Sequence, residues 1–343
     1  MRLRNRLAIA AVAALVALHA GAWFWASGEA ASQLDRWAGA LHAQGWNLTY
    51  SKAGRAGWPL SAFTRITDIH LDGPLGLTAD AADLGGSLLH PTQATLRLDG
   101  TLRLTLGNLP VLTLQAQRLE AGVPLGQGPH PDRVDIDAAQ LRITEGGAER
   151  VSVQQAHLQL SRPPSAGRLP MLAFTLQAGP ARLPDPPAPE APSPLLALGT
   201  MIQRLDIAGT VDMPVVQPAG PAAAAIAWRD AGGTLRLSLA AFEWGPLHAA
   251  GQATATLDPT LQPTGQARLR LSGFTETLNA LTAGHVIPAR TATAAGAVLA
   301  LLARPGPDGT MEVEAPLTLQ DHMLQFGRIP ILRLPILQWQ SAP

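Results

Sequence analysis

Side chains that could carry out chemistry are few in this chain and lie far apart. The nine histidines show no close helical spacing of the kind found in zinc proteases, so we do not expect a metal site. Carboxylates cluster at Asp132, Asp135 and Asp137, but a calcium loop needs a denser set of oxygen ligands and a glycine turn. We interpret this cluster as the solvent-exposed side of a strand.

Motifs for catalysis and cofactor binding are also missing. The sequence contains no G-x-S-x-G, no S-x-x-K and no G-x-x-x-x-G-K motif, and it has no cysteine to serve as a nucleophile, a metal ligand or half of a disulfide. The segment around Gly126 and Gly128 lacks a third glycine and a following helix, so we interpret it as a turn. We therefore expect no catalytic residues and no cofactor, and we predict that the protein is not an enzyme.

The charge balance indicates that nucleic acid is not a partner. The 343 residues include 25 basic and 25 acidic side chains, and the sequence pI is about 7.2. Nucleic-acid-binding proteins usually have a clustered basic face and a high pI. Hydrophobic residues make up 47% of the chain, which is enough for a large core.

The N-terminus predicts a membrane anchor. Arg2, Arg4 and Arg6 precede an uncharged run over residues 7–25, and such a run is about as long as the hydrocarbon core of a bilayer is thick. Positive charge before the span predicts that the N-terminus stays in the cytoplasm and that the rest of the chain is exported. We predict a signal anchor over residues 1–26 that crosses the membrane once.

A cleavable signal peptide is the alternative interpretation of this segment. Residues 20–22 (Ala-Gly-Ala) meet the small-residue rule for cleavage after Ala22. The apolar run continues beyond that site through Trp23, Phe24 and Trp25, which are typical of a bilayer interface and favour an uncleaved anchor.

An amphipathic helix is predicted over residues 27–44. Leu34, Trp37, Ala38 and Leu41 recur at helical spacing, and Gly45 is a suitable stop. Such a helix either continues from the membrane span or packs into the core of the following domain, and the two roles are compatible.

Residues 94–106 predict a strand with one apolar side. Leucine alternates with polar residues throughout, except at Gly100. The pair Asp99–Gly100 predicts either a tight hairpin turn or a β-bulge. The apolar side of this strand is the candidate apolar groove, lined by Leu96, Leu98, Leu102, Leu104 and Leu106.

Similar alternation recurs along the chain and predicts the fold class. Further strands are expected over residues 64–73, where the alternation slips by one residue, and over 140–144, 151–160, 172–178, 205–213, 233–242, 267–273, 311–315 and 317–320. We predict an α+β, mainly β protein, with an N-terminal transmembrane helix followed by a large curved antiparallel sheet and a few short helices. Those helices are expected over residues 194–203, 275–283 and 288–303.

A proline-rich segment over residues 180–194 is expected to be an exposed linker or loop, because prolines cannot form a ladder strand. It separates a predicted β-rich subdomain over residues 45–179 from a second β-rich subdomain with short helices over 195–343.

Four tryptophans lie beside predicted turns. We interpret them as structural anchors that close the ends of a sheet, and the alternative is a platform for a ligand. A buried indole N–H needs a hydrogen-bond partner, and Asp230 is a candidate. The four are Trp46, Trp58, Trp228 and Trp244.

Several motifs occur together with these tryptophans. They are an arginine-flanked anchor ending in W-F-W, G-W-x-L-x-Y followed by G-W-P, W-R-D-A-G-G, W-G-P-L, L-D with a later L-Q-P-x-G, and L-x-L-Q-D followed by I-P-I-L-x-L-P-I-L. In this order the motifs resemble the domain of unknown function 2125 family of alphaproteobacterial envelope proteins. The family tends to have Asp-Gly where this chain has Asp321–His322, and Gly-Pro where it has Gly327–Arg328. The resemblance implies an inner-membrane protein with its C-terminal bulk in the periplasm, and it implies no catalytic residues.

The chain is also remotely similar to the AsmA-type β-groove proteins of the envelope, in which a curved sheet presents an apolar trough thought to hold lipid. This similarity concerns architecture only. A one-sided sheet must cover its apolar side, yet few helices are predicted. Either the sheet closes on itself around a dry core, or it binds lipid or another apolar envelope ligand in a groove.

Two other functions are alternative hypotheses. The chain could be an envelope assembly or scaffolding factor that binds other membrane proteins. A hydrolase or transferase that uses Asp230 or Asp258 is the least supported, because no paired catalytic groups are found.

Overall fold

A single antiparallel sheet dominates the chain, as seen in a computed structural model. The structure describes residues 46–59, 61–73, 76–87, 92–105, 110–124, 132–163, 171–185, 197–212, 221–306, 309–326 and 329–334, and the separate residues 23, 28, 34, 38, 39, 41, 42, 336, 337 and 339.

The sheet contains nineteen described strands, which are numbered here in chain order. They are β1 Asn47–Thr49, β2 Lys52–Ala56, β3 Ser61–Asp72, β4 Gly76–Ser87, β5 Gln93–Thr105, β6 Leu112–Gln115, β7 Arg118–Pro124, β8 Arg133–Glu145, β9 Ala148–Ser161, β10 Met171–Ala178, β11 Ala181–Arg182, β12 Met201–Asp212, β13 Leu235–Trp244, β14 Leu247–Leu257, β15 Pro263–Ser272, β16 Arg304–Pro305, β17 Met311–Gln320, β18 Met323–Phe326 and β19 Ile329–Arg333.

The pairing follows a meander. From β3 to β15 each long strand pairs antiparallel with the next, β15 pairs with β17, and β18 and β19 complete the described order. β6 and β7 together fill one position between β5 and β8, and β10 and β11 fill one between β9 and β12. The predicted mainly β class with a large antiparallel sheet is confirmed.

The sheet continues across the predicted boundary at residues 180–194. β10 and β12 pair over eight residues, and β11 lies between β9 and β12. Ala181 and Arg182 therefore belong to the sheet rather than to a linker, because the start of the proline-rich segment still has backbone donors and acceptors for both neighbours. Residues 186–194 lie outside the described residues.

Three helices are described in full: α1 Pro221–Asp230, α2 Phe274–Ala283 and α3 Ala289–Leu302. The helices predicted over 275–283 and 288–303 are confirmed, with Gly284 and Pro288 at the expected ends. Helix α1 was not predicted.

The helix predicted over residues 194–203 is wrong in its second half. Only Ala197 and Leu198 are helical there, and β12 begins at Met201. Gly199 has a φ of +89°, which ends the helical turn, and Met201 and Ile202 pair with β11. Residues 194–196 lie outside the described part of the chain.

The predicted signal anchor over residues 1–26 lies outside the described residues except for Trp23, which is helical. Among the helices that the structure does describe, none is both long enough and apolar enough to cross a membrane. In the predicted amphipathic helix over 27–44, the six described residues are all helical.

A core lies where Leu34 meets strands β3 to β5. Leu34 is only 5% exposed and packs with buried side chains of the sheet. Leu34 is therefore a core residue. The buried residues of the cluster are Leu34, Ile66, Ile69, Ala79, Ala82, Leu84 and Leu102.

A line of irregular residues crosses the sheet, and we call it the bulge line. At this line consecutive apolar residues of one face are three to five positions apart instead of two, and the irregular backbone between them keeps them on the same side of the sheet. The spacing is seen in the pairs Ile66 and Ile69, Ala79 and Ala82, Leu98 and Leu102, Leu114 and Leu119, Ala138 and Leu141, Val153 and Ala156, Ala178 and Ala181, and Ile202 and Leu205.

The bulge line settles the two alternatives for Asp99–Gly100. β5 runs through this pair, and its register against β4 shifts so that Gly100 and Thr101 stand opposite Asp80. The pair is a β-bulge and not a hairpin turn. The Asp80 carboxylate accepts a hydrogen bond from the Thr101 N–H at 2.8 Å, and Gly100 has a φ of +86°. A bulge bends its strand, so a line of bulges bends the sheet.

Replacing Gly100 by alanine tests the bulge. At this position an alanine Cβ would lie 2.7 Å from Asp80 Oδ2 and would occupy the left-handed region. We expect Gly100→Ala to lower the free energy of unfolding by about 1–2 kcal/mol. Gly54→Ala is the control, because a Cβ there meets nothing within 4 Å, and it should change stability by less than about 0.5 kcal/mol. Urea unfolding measures both, and equal stability of the two variants would contradict the assignment.

Candidate apolar binding face

The predicted groove leucines lie on one side of β5. Leu102 is 8% exposed, and Leu96, Leu98 and Leu104 are half-buried, whereas Arg97 and Arg103 between them are exposed. Their cross-strand partners are also apolar: Leu84, Ala82, Ala79 and Leu77. Leu106 lies outside the described residues.

The same side of the sheet stays apolar from strand to strand. Backbone pairing places one residue of each strand opposite one residue of the next, and the resulting row crosses ten strands without a polar side chain. This middle row consists of Leu96, Ala121, Ile136, Leu158, Leu176, Ile207, Ala240, Gly251, Leu269 and Ala315.

Two further rows flank the middle row, one on each side. The row nearer the bulge line consists of Leu119, Ala138, Ala156, Ala178, Leu205, Phe242, Ala249, Leu271 and Val313. The row farther from it consists of Val134, Leu160, Phe174, Gly209, Leu237, Ala253, Ala267, Leu317 and Phe326. We call these three rows together the apolar face.

The apolar face is covered at its ends and open in the middle. At one end, Leu96 and Leu119 pack against the core around Leu34. At the other end, Val313 is 0% exposed and Ala315 is 3% exposed, close to where α2 and α3 contact β14 and β17. Between the two ends, the apolar residues of β8, β9 and β10 in these rows are only half-buried.

The opposite side of the sheet carries the charges. The corresponding row there contains Arg65, Asp83, Arg97, Glu120, Asp137, His157, Gln177 and Asp206. Many of these groups pair directly across strands. The Arg65 guanidinium contacts Asp83 at 2.6 Å, Arg97 contacts Glu120 at 2.9 Å, and His157 Nδ1 lies 2.8 Å from Asp137.

The ion pairs of the charged side shift the pKa of two arginines. The hydrogen bonds and charge of Asp83, together with the charge of Asp99, raise the pKa of Arg65 above its ordinary value. The hydrogen bonds and charge of Asp135 raise the pKa of Arg133 in the same way. Among the described residues, no cluster of three or more His, Asp or Glu side chains is suited to hold a metal ion.

Three of the four predicted tryptophan anchors contact backbone atoms, and the fourth, Trp58, packs against Trp23. The Trp228 indole N–H donates to the Asp212 carbonyl at 2.6 Å, and that of Trp244 donates to the Gly199 carbonyl at 2.7 Å. Asp230 is therefore not the partner of Trp228. Trp46 packs on Gly73, where a Cβ would lie 2.4 Å from its ring.

Trp58 and Trp23 form a pair beside the start of β3. Trp58 is 51% exposed and meets Trp23 edge to face, with ring centroids 5.6 Å apart. Trp23 is 8% exposed, and its indole N–H donates to the Ser61 carbonyl at 2.7 Å. The first residue of the W-F-W motif thus packs on the sheet.

Asp212 joins the Trp228 anchor to the sheet. Its side chain accepts hydrogen bonds from the Thr234 N–H at 3.0 Å, the Thr234 hydroxyl at 2.5 Å and Arg236 at 3.5 Å. Burial acts to raise the pKa of this carboxyl, but the Thr234 hydrogen bonds and the Arg236 charge together act more strongly in the other direction. The pKa of Asp212 therefore lies below its ordinary value.

The sequence predicted the strands but not their register or most of their irregularities. The slip between Ile66 and Ile69 is visible in the sequence, and a bulge was one of the two alternatives at Asp99–Gly100. The recurrence of such irregularities in the other six strand segments was not predicted. The rows themselves require the register of each pair, which a single sequence does not specify. Helix α1 was missed because its run of alanines shows no periodic apolar pattern.

Comparison with known proteins identifies one family. The model of the family described as "Uncharacterized protein conserved in bacteria (DUF2125)" matches residues 23–335. No curated protein and no solved structure matches the chain.

The low pKa of Asp212 makes a prediction about acid stability. A carboxylate with a lowered pKa contributes stability above its unfolded-state value, and this contribution is lost as the pH falls through the folded-state value. We expect Asp212→Asn to lower the free energy of unfolding by about 1–2 kcal/mol at pH 7. The difference from the wild type should shrink as the pH falls below about 4.

Urea unfolding at a series of pH values measures this effect. Asp230→Asn is the control, because Asp230 makes an exposed ion pair with Arg229 and such pairs contribute little. A stability loss in Asp212→Asn that is equal at pH 7 and pH 3 would show that the charge of Asp212 is not involved.

Proposed function

The chain belongs to the DUF2125 family of bacterial proteins, and we propose that it is a non-enzymatic envelope protein that binds lipid acyl chains along the apolar face. One observation carries this proposal. Three adjacent rows of side chains remain apolar from β8 to β17, and their middle part is only half-buried. The dimensions and the chemistry of this face indicate which ligand it binds.

The dimensions of the face suit lipid tails. Neighbouring strands lie about 4.8 Å apart, so the ten strands of the middle row extend over roughly 43 Å. Residues two positions apart on a strand are about 6.8 Å apart, so the three rows are roughly 14 Å wide. One lipid tail spans about 15 Å in a bilayer leaflet, which is half of the hydrocarbon thickness. The face is therefore long enough for a tail lying along it.

The chemistry of the face favours hydrocarbon over an extended peptide. The three rows offer no polar side chain, so a peptide lying on them would leave backbone N–H and C=O groups without partners. An acyl chain has no such groups, and each methylene removed from water contributes about 0.8 kcal/mol. We propose a curved groove in which tails are held, with the bulge line supplying the bend.

The proposal includes a location. We propose that residues 1–26 anchor the chain once in the inner membrane and that its C-terminal bulk lies in the periplasm. The support is the sequence alone: Arg2, Arg4 and Arg6 before an uncharged run. Membrane lipid is the expected ligand, and neither a nucleic acid nor a cofactor is expected.

Photo-crosslinking in cells tests the occupant. Leu158 and Leu176 lie in the middle row, and Gln159 and Thr175 are their neighbours on the opposite side of the sheet. A benzophenone side chain introduced at Leu158 or Leu176 of the full chain is expected to form adducts with phospholipid tails, which mass spectrometry identifies. The same group at Gln159 or Thr175 is the matched control and should give no lipid adduct.

Two outcomes would contradict the proposal. Lipid adducts at equal yield from both sides of the sheet would indicate nonspecific contact. Protein adducts in place of lipid at Leu158 and Leu176 would favour the alternative function, in which the chain is an envelope assembly or scaffolding factor.

A further inference from the structure

Helix α3 presents its apolar side chains outward. Val298 is 53% exposed, Leu301 is 87% exposed and Leu302 is 51% exposed, and no residue of the helix is buried. A surface helix of a water-soluble domain normally turns its large apolar residues toward the core. Helix α3 shows the reverse arrangement.

The inner side of α3 is made of small residues. Ala292, Ala295 and Gly296 are half-buried with Leu299, at the spacing of one helical stripe. This stripe packs on α2, where a Cβ on Gly296 would lie 3.6 Å from Leu278 Cδ1. The inner stripe of α3 thus consists of small side chains and Leu299, and Val298, Leu301 and Leu302 are left for another contact.

Charge is confined to the two ends of α3. Arg290 lies in its first turn and Arg304 follows its last, while residues 291–303 contain no ionisable side chain. Basic side chains at the ends of an apolar helix can reach lipid headgroups while the helix lies in the bilayer interface.

We propose that α3 is a membrane-contacting helix, which lies in the surface of a lipid bilayer with Val298, Leu301 and Leu302 inserted. A helix satisfies its own backbone hydrogen bonds, so hydrocarbon can cover it without any polar partner. A protein partner would be expected to meet aromatic anchors and a polar rim. The exposed part of α3 offers no aromatic residue, and its polar side chains are confined to residues 290–293.

The position of α3 gives this contact a structural consequence. The hairpin contacts β14 and β17 through α2 and α3, at the end of the apolar face where Val313 and Ala315 are buried. The helical segment with Leu34 lies at the other end, against β3 to β5. A bilayer contact through α3 would therefore hold the end of the sheet opposite to the one against which Leu34 packs. This inference goes beyond acyl-chain binding and does not depend on it.

A fluorescent probe at Leu301 tests the contact. The chain has no cysteine, so Leu301→Cys gives a single attachment point for a polarity-sensitive nitrobenzoxadiazole probe. We expect the full chain in phosphatidylethanolamine–phosphatidylglycerol vesicles to show a blue-shifted emission that lipids spin-labelled near the headgroup quench. Val111→Cys is the matched control, because Val111 is 43% exposed but lies outside the helices, and it should show neither effect.

A second variant keeps the test independent of the probe position. In a chain labelled at Val298→Cys, we expect Leu301→Asp to abolish the blue shift and the quenching, while the circular dichroism spectrum stays unchanged. Persistence of both signals in this variant would overturn the proposal.

A partner other than a bilayer on the apolar side of α3 would give different signals. A second copy of the chain would give a blue shift that grows with protein concentration and is not quenched by lipid. A segment of the same chain would give a blue shift without vesicles. Either result would overturn the membrane contact, but neither would affect photo-crosslinking from Leu158 and Leu176, so failure here and failure of the proposed function are distinguishable.

Discussion

Backbone hydrogen bonds between neighbouring strands decide which side chains stand opposite each other, and the rest of this structure depends on that register. A slip of one residue in any strand would move all its leucines to the charged side and its arginines to the apolar side. The register must hold from β5 to β17 for the middle row to be continuous. The bulge line is part of the same constraint, because most of its apolar pairs are an odd number of residues apart, and such residues stay on one face only if the strand is irregular between them.

The two sides of the sheet contribute differently to stability. Exposed ion pairs such as Arg97 with Glu120 contribute about 1 kcal/mol or less each, so the charged side mainly keeps the sheet soluble and disfavours the slipped register. Burial of apolar area contributes more to stability, and it is concentrated around Leu34 at one end and Val313 at the other. The half-buried middle gains little from folding alone. A ligand that covered it would stabilise the folded chain by mass action.

The alternation of single residues predicted much of this fold. Each predicted strand, from residues 64–73 to 317–320, falls largely within a strand of the structure, and α2 and α3 occur where Gly284 and Pro288 indicated their ends. The helix over 194–203 was wrong because pairing of Met201 and Ile202 with β11 outweighs local helix propensity. Propensity reports on neighbours in sequence, whereas a strand in the middle of a sheet is decided by neighbours in space.

The candidate site was predictable only in part. Leu96, Leu98, Leu102 and Leu104 were identified from one strand, but the rows that extend them belong to strands whose register a sequence does not give. The partners of Trp228 and Trp244 are backbone carbonyls, which carry no sequence signature. The outward apolar side of α3 depends on which stripe packs against α2, and this too is fixed by tertiary contact.

Accessibility of nitroxide labels measures the central claim most directly. Single cysteines placed in turn along β8, β9, β10 and β12 of the membrane-reconstituted chain would each carry a spin label. We predict that exposure to oxygen and to a water-soluble nickel complex alternates with a period of two, with labels in the middle row favouring oxygen, and that the alternation shifts phase at the bulge line in every strand. Uniform exposure to the nickel complex on both sides, or a phase that differs between neighbouring strands, would contradict a continuous apolar face.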